Sequence, residues 1–197
     1  MIILGIETSC DETALSLLEA EGDLKAPKFK VLATSLFSQV KMHEQYGGVV
    51  PMLAKREHQK NLIPLLEKLL KESNFSNSKS EKLNQKKVEE IKKILEREPE
   101  LSEQTLRYIA RFGKPEKIDA IAVTEGPGLE PALWVGINFA RALSHLWNVP
   151  VIPVNHMEGH LVSVLLNPKP YPRISGVSAF NIGGAHRTRP RRRFWKI

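Results

Sequence analysis

Apolar positions fall into short runs separated by polar punctuation. Ile2-Ile3-Leu4-Gly5-Ile6 is a compact β-branched run and predicts a buried strand. Glu7-Thr8-Ser9-Cys10-Asp11-Glu12-Thr13 predicts a polar turn, and Ala14-Leu15-Ser16-Leu17-Leu18-Glu19 a second strand antiparallel to the first. A third strand is predicted over Val31 to Ser38. His43 to Pro51, with Gly47-Gly48 inside it, reads as a loop, and Pro51 suits the first turn of a helix. From Met52 to about Glu72 a broad stripe of Leu62, Ile63, Leu65, Leu66, Leu69 and Leu70 predicts that helix. A Ser/Asn-rich break covers Ser73 to Ser80. Lys86 to Glu98 is charged, with Val88, Ile91, Ile94 and Leu95 at helical spacing. Ser102 to Phe112 predicts another helix, with Ser102 as N-cap and Gly113 closing it. Residues 73–117 together predict an inserted helical hairpin on the surface, with no chemistry of its own. Ile118 to Thr124 predicts a buried strand running into the turn Glu125-Gly126-Pro127-Gly128-Leu129. Pro131 opens a helix over Ala132 to Trp147, and Val151-Ile152-Pro153-Val154 predicts a last strand before Asn155-His156-Met157-Glu158-Gly159-His160.

Composition narrows the class. With 197 residues, 42% of them hydrophobic, the chain can bury the core of one large or two small domains. No apolar run approaches the roughly 20 residues of a membrane span. The N-terminus lacks a basic region and reaches Glu7 too early for a signal peptide. Cys10 is the only cysteine, which excludes an intrachain disulfide and fits a reducing, cytoplasmic setting without a membrane partner. The net charge of +7 suggests nucleic acid, but its placement changes that picture. Lys169, Arg173, Arg187, Arg189, Arg191, Arg192, Arg193 and Lys196 all follow Glu158, after which there is no acid. Residues 1–158 therefore carry one net negative charge, and the excess lies in the tail.

Two stretches carry candidate chemistry. His156 and His160, at i and i+4, share one face if the segment is helical, a spacing that suits one metal ion. Two ligands do not complete a site, so a third must come from elsewhere. Glu158 is the third residue of the motif, not the second, which excludes the zinc-protease pattern. Acids and hydroxyls in the turn 7–13 read either as a solvated hairpin turn or as a phosphate or metal-water site. Strand, glycine-rich turn and helix over 118–147 form a common phosphate-facing arrangement, without the Gly-Lys-Ser/Thr of a P-loop. Single residues read more plainly. His58 is expected to be packed or on the surface, His43 in a loop and His145 on a helix surface. Cys10 is expected to be a small buried residue, and Trp134 and Trp147 to lie in the core.

Three strands, helix, strand, helix, strand and helix, with acids and hydroxyls in the first hairpin, is the pattern of one lobe of the actin-like ATPase fold (acetate and sugar kinases, chaperones, actin): an α/β lobe with a mixed sheet flanked by helices. Gly5-Ile6-Glu7-Thr8-Ser9-Cys10-Asp11-Glu12-Thr13 resembles the opening signature of the tRNA N6-adenosine threonylcarbamoyltransferases, a family once described as O-sialoglycoprotein endopeptidases. Tyr46-Gly47-Gly48-Val49-Val50-Pro51, with Ala54, Arg56 and His58, resembles a second block. Asp119 to Thr124, Gly126-Pro127-Gly128-Leu129 and Val135-Gly136 resemble a third, and Asn155 to His160 a fourth. The resemblance implies transfer of a threonylcarbamoyl group from its adenylate to adenosine 37 of tRNAs reading codons that begin with A. It implies His156 and His160 as ligands of one divalent metal, iron or zinc, with an aspartate of a second lobe as third ligand. It further implies Asp11 and Glu12 as catalytic acids at the nucleotide cleft, and Thr8, Ser9, Gly126 and Gly128 on the nucleotide side. Implied partners are tRNA, threonylcarbamoyl-adenylate and, in a bacterial setting, an inactive paralogous subunit and a small ATPase. A non-catalytic partner subunit of the same complex is the alternative, and the histidine pair speaks against it.

The resemblance breaks off near the end. The expected organisation is an N-terminal lobe over 1–168, an aberrant basic tail over 169–197, and no second lobe, hence a chain inactive alone. The family's Ser-Gly-Gly-His-Thr phosphate loop is represented by Ile182-Gly183-Gly184-Ala185-His186-Arg187-Thr188. One legal set of codons for Ile182 to Lys196, read one base later, encodes Ser-Gly-Gly-His-Thr-Glu-Leu-Val-Leu-Val-Glu-Asp-Phe-Gly. A frame slip between about Pro170 and Ile182 is therefore expected, with the basic tail as its product.

Overall fold

In a computed structural model, residues 1–23, 26–75, 84–115 and 117–163 are described. They fall within a unit spanning Met1–Leu166. The basic tail, the Ile182 to Thr188 segment and the expected frame slip lie outside the described residues, as does most of the Ser/Asn-rich break.

Chain order is β1 (Ile2–Glu7), β2 (Glu12–Glu21), β3 (Lys28–Ser38), α1 (Val40–Glu44), α2 (Pro51–Glu72), α3 (Gln85–Ile94), α4 (Pro99–Arg111), β4 (Ala120–Gly126), α5 (Glu130–Trp147), β5 (Val151–Asn155) and α6 (His156–Ser163). The five strands form one sheet in the order β3-β2-β1-β4-β5. β2 runs antiparallel to both β1 and β3, while β1, β4 and β5 are parallel. An antiparallel meander extended by two parallel strands through helical crossovers is the sheet of one actin-like lobe.

Register places the core in rows. Leu4 pairs with Leu17 and Ile121, and Ile6 with Leu15 and Val123, all of them buried. Side chains two apart share a sheet face, so these six form one apolar layer. α2 and α5 pack side by side on the sheet, inserting Leu62, Leu66, Leu69, Val135, Phe139 and Leu143. The opposite face, carrying Ile3, Gly5, Ser16, Leu18 and Ala122, is only half-buried. The run Ile2 to Ile6 thus predicts burial on both faces and obtains it on one, because an apolar run does not reveal how many faces are covered.

The helical pair α3–α4 corrects the expected surface hairpin. Ile91, Leu95, Leu101, Tyr108 and Ile109 belong to the same core cluster as the sheet. Glu98 is buried between the pair and the body: its Oε2 accepts a hydrogen bond from Asn138 Nδ2 at 3.0 Å, and Lys55 Nζ lies 3.7 Å from Oε1. Burial pushes the Glu98 carboxyl up, against the opposing pull of Asn138 and Lys55. Ser102 is not the N-cap of α4. Pro99 takes the first turn, Glu98 is the cap, and Ser102 sits buried inside the helix. His43 to Gly48 is also less of a loop than expected, since α1 ends within it and His43 is buried. Trp147 is in the core, but Trp134 is exposed on α5 and donates to Glu130 Oε1 at 3.3 Å. Among the described residues, no helix is long and apolar enough to cross a membrane.

Candidate functional site

Three parallel strands end at the same edge of the sheet. Ile6 pairs with Val123, Thr124 with Val154 and Gly126 with Asn155, so Glu7, Thr124 and His156 are brought together from distant stretches of sequence. The carboxyl ends of such strands are where open α/β sheets present their ligand sites.

Glu7 is the centre of this edge. Its Oε1 accepts the Ser9 backbone N–H at 2.5 Å and its Oε2 accepts the Thr124 hydroxyl. His156 Nδ1 lies 3.4 Å from Glu7 Oε2 and 3.2 Å from Ser9 Oγ. Burial works to raise the Glu7 carboxyl, but the hydrogen bonds from Ser9, Thr124 and His156 outweigh it and hold the group below its ordinary range.

α6 carries the histidine pair. Asn155 caps it, with Oδ1 accepting from Met157 N at 2.9 Å and Glu158 N at 3.2 Å. One turn later the His160 ring meets the His156 ring edge-on, centroids 4.5 Å apart, with the two Nε2 atoms 3.0 Å apart. Two imidazoles bound cis to one metal at about 2.0–2.1 Å hold their nitrogens about 2.8–3.4 Å apart. The pair fits that requirement with both Nε2 atoms already facing each other. Among the described residues, no group of three or more His, Cys, Asp or Glu side chains converges to hold a metal.

Two turns pack on each other to hold Glu7 in place. Thr8 is fully buried, and its hydroxyl donates to the Ala132 carbonyl of α5 at 2.9 Å. A Cβ on Gly136 would overlap that hydroxyl, and a Cβ on Gly128 would lie 2.7 Å from the Ser9 carbonyl. The same carbonyl accepts the Leu129 N–H at 2.7 Å. Gly128 of the β4–α5 turn and Gly136 of α5 thus give their space to the β1–β2 turn, and Thr8 holds the turn to α5. Gly126 has φ +150, a conformation that favours glycine. Asp11 and Glu12 follow on the solvent side: Asp11 is half-buried and Glu12 exposed. No hydrogen bond or ion pair among the described residues joins either carboxylate to the histidines. Cys10 is exposed, contrary to the expected small buried residue, and its thiol is pushed up by partial burial and by the Asp11 charge.

Behind the turn lies a buried polar relay. Thr13 Oγ1 donates to His58 Nδ1 at 2.7 Å, and His58 Nε2 donates to the Cys10 carbonyl at 3.1 Å. Gln39 Nε2 lies 3.4 Å from the same Nδ1, His43 Nε2 donates to Gln39 Oε1 at 3.2 Å, and Val50 N donates to His43 Nδ1 at 3.3 Å. Of the two expected placements, packed or on the surface, His58 takes the packed one. His145 instead pairs with Glu90 at 2.8 Å on the outer face.

The family model for TsaD, tRNA N6-adenosine threonylcarbamoyltransferase, matches residues 30–83 and 107–181. The chain belongs to this family. The matched segments contain the blocks at Tyr46 to Pro51, Asp119 to Leu129 and Asn155 to His160. The Gly5 to Thr13 block precedes them, and α3 with the start of α4 falls in the gap. The match ends one residue before Ile182, where the shifted reading begins. Among solved structures, the chain is similar to YeaZ from Pseudomonas aeruginosa, at 15% identity over 79% of this chain and 45% of that one, with a TM-score of 0.38. A second Pseudomonas aeruginosa protein with similarity to peptidase YEAZ shares 18% identity over 78% and 43% of the two chains, with a TM-score of 0.39. RuvC from Thermus thermophilus shares 15% over 89% and 85%, with a TM-score of 0.40. The chain spans less than half the length of either Pseudomonas chain.

Sequence reasoning singled out the histidines and the two turns but missed Glu7, Thr124 and Gly136 as site-builders. The available signal was an acid closing an apolar strand. Nothing in the spacing ranks Glu7 above Asp11 or Glu12, because the register of β1 on β4 decides which acid faces the histidine.

Proposed function

We propose that this chain is the histidine-bearing part of a cytoplasmic tRNA-modifying acyltransferase. It transfers threonylcarbamoyl from its adenylate to the amine of adenosine 37, with one divalent metal, iron or zinc, at His156 and His160. The observation that carries the reading is the facing pair of Nε2 atoms, 3.0 Å apart, beside the β1–β2 turn of a family member. A metal held there would polarise the carbamoyl carbonyl. Asp11 and Glu12, beyond the Ser9 turn, would orient the attacking amine and take up its proton as the adenylate leaves as AMP. Ser9 and the Gly126 to Gly128 turn would border the nucleotide, while Thr8, fully buried, shapes that border without touching it. A third metal ligand would come from outside the described residues. In a bacterial cell, an inactive paralogous subunit and a small ATPase would complete the system.

Metal analysis combined with a transfer assay on unmodified tRNA tests this reading. The chain should bind about one metal weakly and lose it in His156→Ala or His160→Ala, since two nitrogens leave the coordination shell incomplete. With its partner subunits present, formation of threonylcarbamoyladenosine should be lost in the same two variants. Metal binding undiminished in His156→Ala would remove the basis of the assignment.

A further inference from the structure

We propose that Glu7 is a positioning residue for His156: its carboxylate holds the imidazole as the Nδ1–H tautomer, so that Nε2 faces His160 with a free lone pair. The inference rests on the metal reading of the histidine pair and adds an inequality between the two histidines.

A carboxylate only accepts hydrogen bonds. Glu7 Oε1 is engaged by Ser9 N–H and Oε2 by the Thr124 hydroxyl, which fixes the plane of the group. His156 Nδ1, 3.4 Å from Oε2, therefore faces an acceptor and is stabilised when it carries the ring proton. Ser9 Oγ, 3.2 Å from the same nitrogen, can accept a hydrogen bond from that N–H too. A neutral imidazole has one N–H, so a proton on Nδ1 leaves Nε2 bare. The 3.0 Å contact between the two Nε2 atoms then has one direction, with His160 Nε2–H donating to His156 Nε2. The motif spacing treats the two histidines alike, whereas the fold makes His156 ready for a metal. Only His160 must move its proton from Nε2 to Nδ1, through solvent, before both can coordinate. Carboxylates in this position orient metal-bound histidines, and removing them typically weakens the metal 10- to 100-fold.

The test uses the full chain, stripped of metal, with ¹⁵N-labelled histidine, at a pH above the ordinary histidine range. Long-range ¹H–¹⁵N correlation should show His156 as Nδ1–H and His160 as Nε2–H, assigned with His160→Ala. In Glu7→Gln and Glu7→Ala the His156 preference should shift toward Nε2–H. Cobalt(II) affinity, followed by its visible spectrum, should fall about 10- to 100-fold. Circular dichroism distinguishes this from unfolding. Should Glu7→Ala not fold, the wild-type tautomers and the isosteric Glu7→Gln decide. A wild-type His156 in the Nε2–H form would overturn the proposal, as would cobalt affinity unchanged in both variants. If the wild-type chain binds no cobalt, the metal reading fails, while the tautomers alone support or overturn the hold of Glu7 on His156.

Discussion

At the scale of single residues, the fold spends its buried polar groups on placing one turn. His58 joins Thr13 to the Cys10 carbonyl, and Gln39 and His43 tie this relay to Val50. His58→Leu keeps similar volume but leaves a buried hydroxyl and carbonyl without their partner. It is expected to cost about 1–3 kcal/mol in urea unfolding at neutral pH. The relay also gives stability a pH dependence. Burial holds the His58 imidazole below its ordinary value of 6.5, against the opposing pull of the Cys10 carbonyl and of Glu7 and Asp11, and with the help of His43. The unfolded chain therefore takes up this proton first. The contribution is full above the unfolded value and declines as pH falls from about 6.5 toward the folded one. His58→Leu should lack that part of the slope, and equal slopes in the two proteins would refute the account. The sequence leaves His58 packed or on the surface, because its partners lie far away in sequence and no periodicity joins them.

Among the elements, β1, β2, α2, β4 and α5 follow from apolar periodicity, because each buries a regular stripe on the sheet or beneath it, whereas β5 forms at its apolar run with no fully buried residue. The α3–α4 pair shows where periodicity stops short. Ile91 and Leu95 give the right helical face, but a charged sequence does not say what that face covers. In the fold α3 packs on α5 and α4 on α2, and Leu101 is fully buried. Leu101→Ala should therefore destabilise the protein by about 2–5 kcal/mol in chemical denaturation. A change within about 0.5 kcal/mol, as on a surface, would restore the peripheral hairpin. The misplaced cap has a simple cause. Ser102 has the right residue type, but Pro99 starts the helix three residues earlier, and a core contact fixes the helix there.

For the molecule as a whole, charge and family lead to the same point in the chain. The body up to Glu158 is nearly neutral, and the family match ends at residue 181, where the basic excess begins in earnest. Reading the coding DNA between about codons 170 and 182 should show a one-base slip whose correction yields Ser-Gly-Gly-His-Thr and an alternating apolar strand. An early stop in the corrected frame, or no such segment, would make the basic tail genuine.

Sequence alone determined the lobe type, the four family blocks and the histidine pair, because strand and helix periods and short motifs are local properties of the chain. Tertiary structure alone decided which acid serves the histidines. Glu7, Asp11 and Glu12 are close in sequence and chemically alike. Only the parallel register of β1, β4 and β5 sets Glu7 beside Thr124 and His156 and leaves the other two outside that hydrogen-bonded set. That register is chosen by burial of Leu4, Ile6, Ile121 and Val123 against the helices, a cooperative choice that no short stretch of sequence contains.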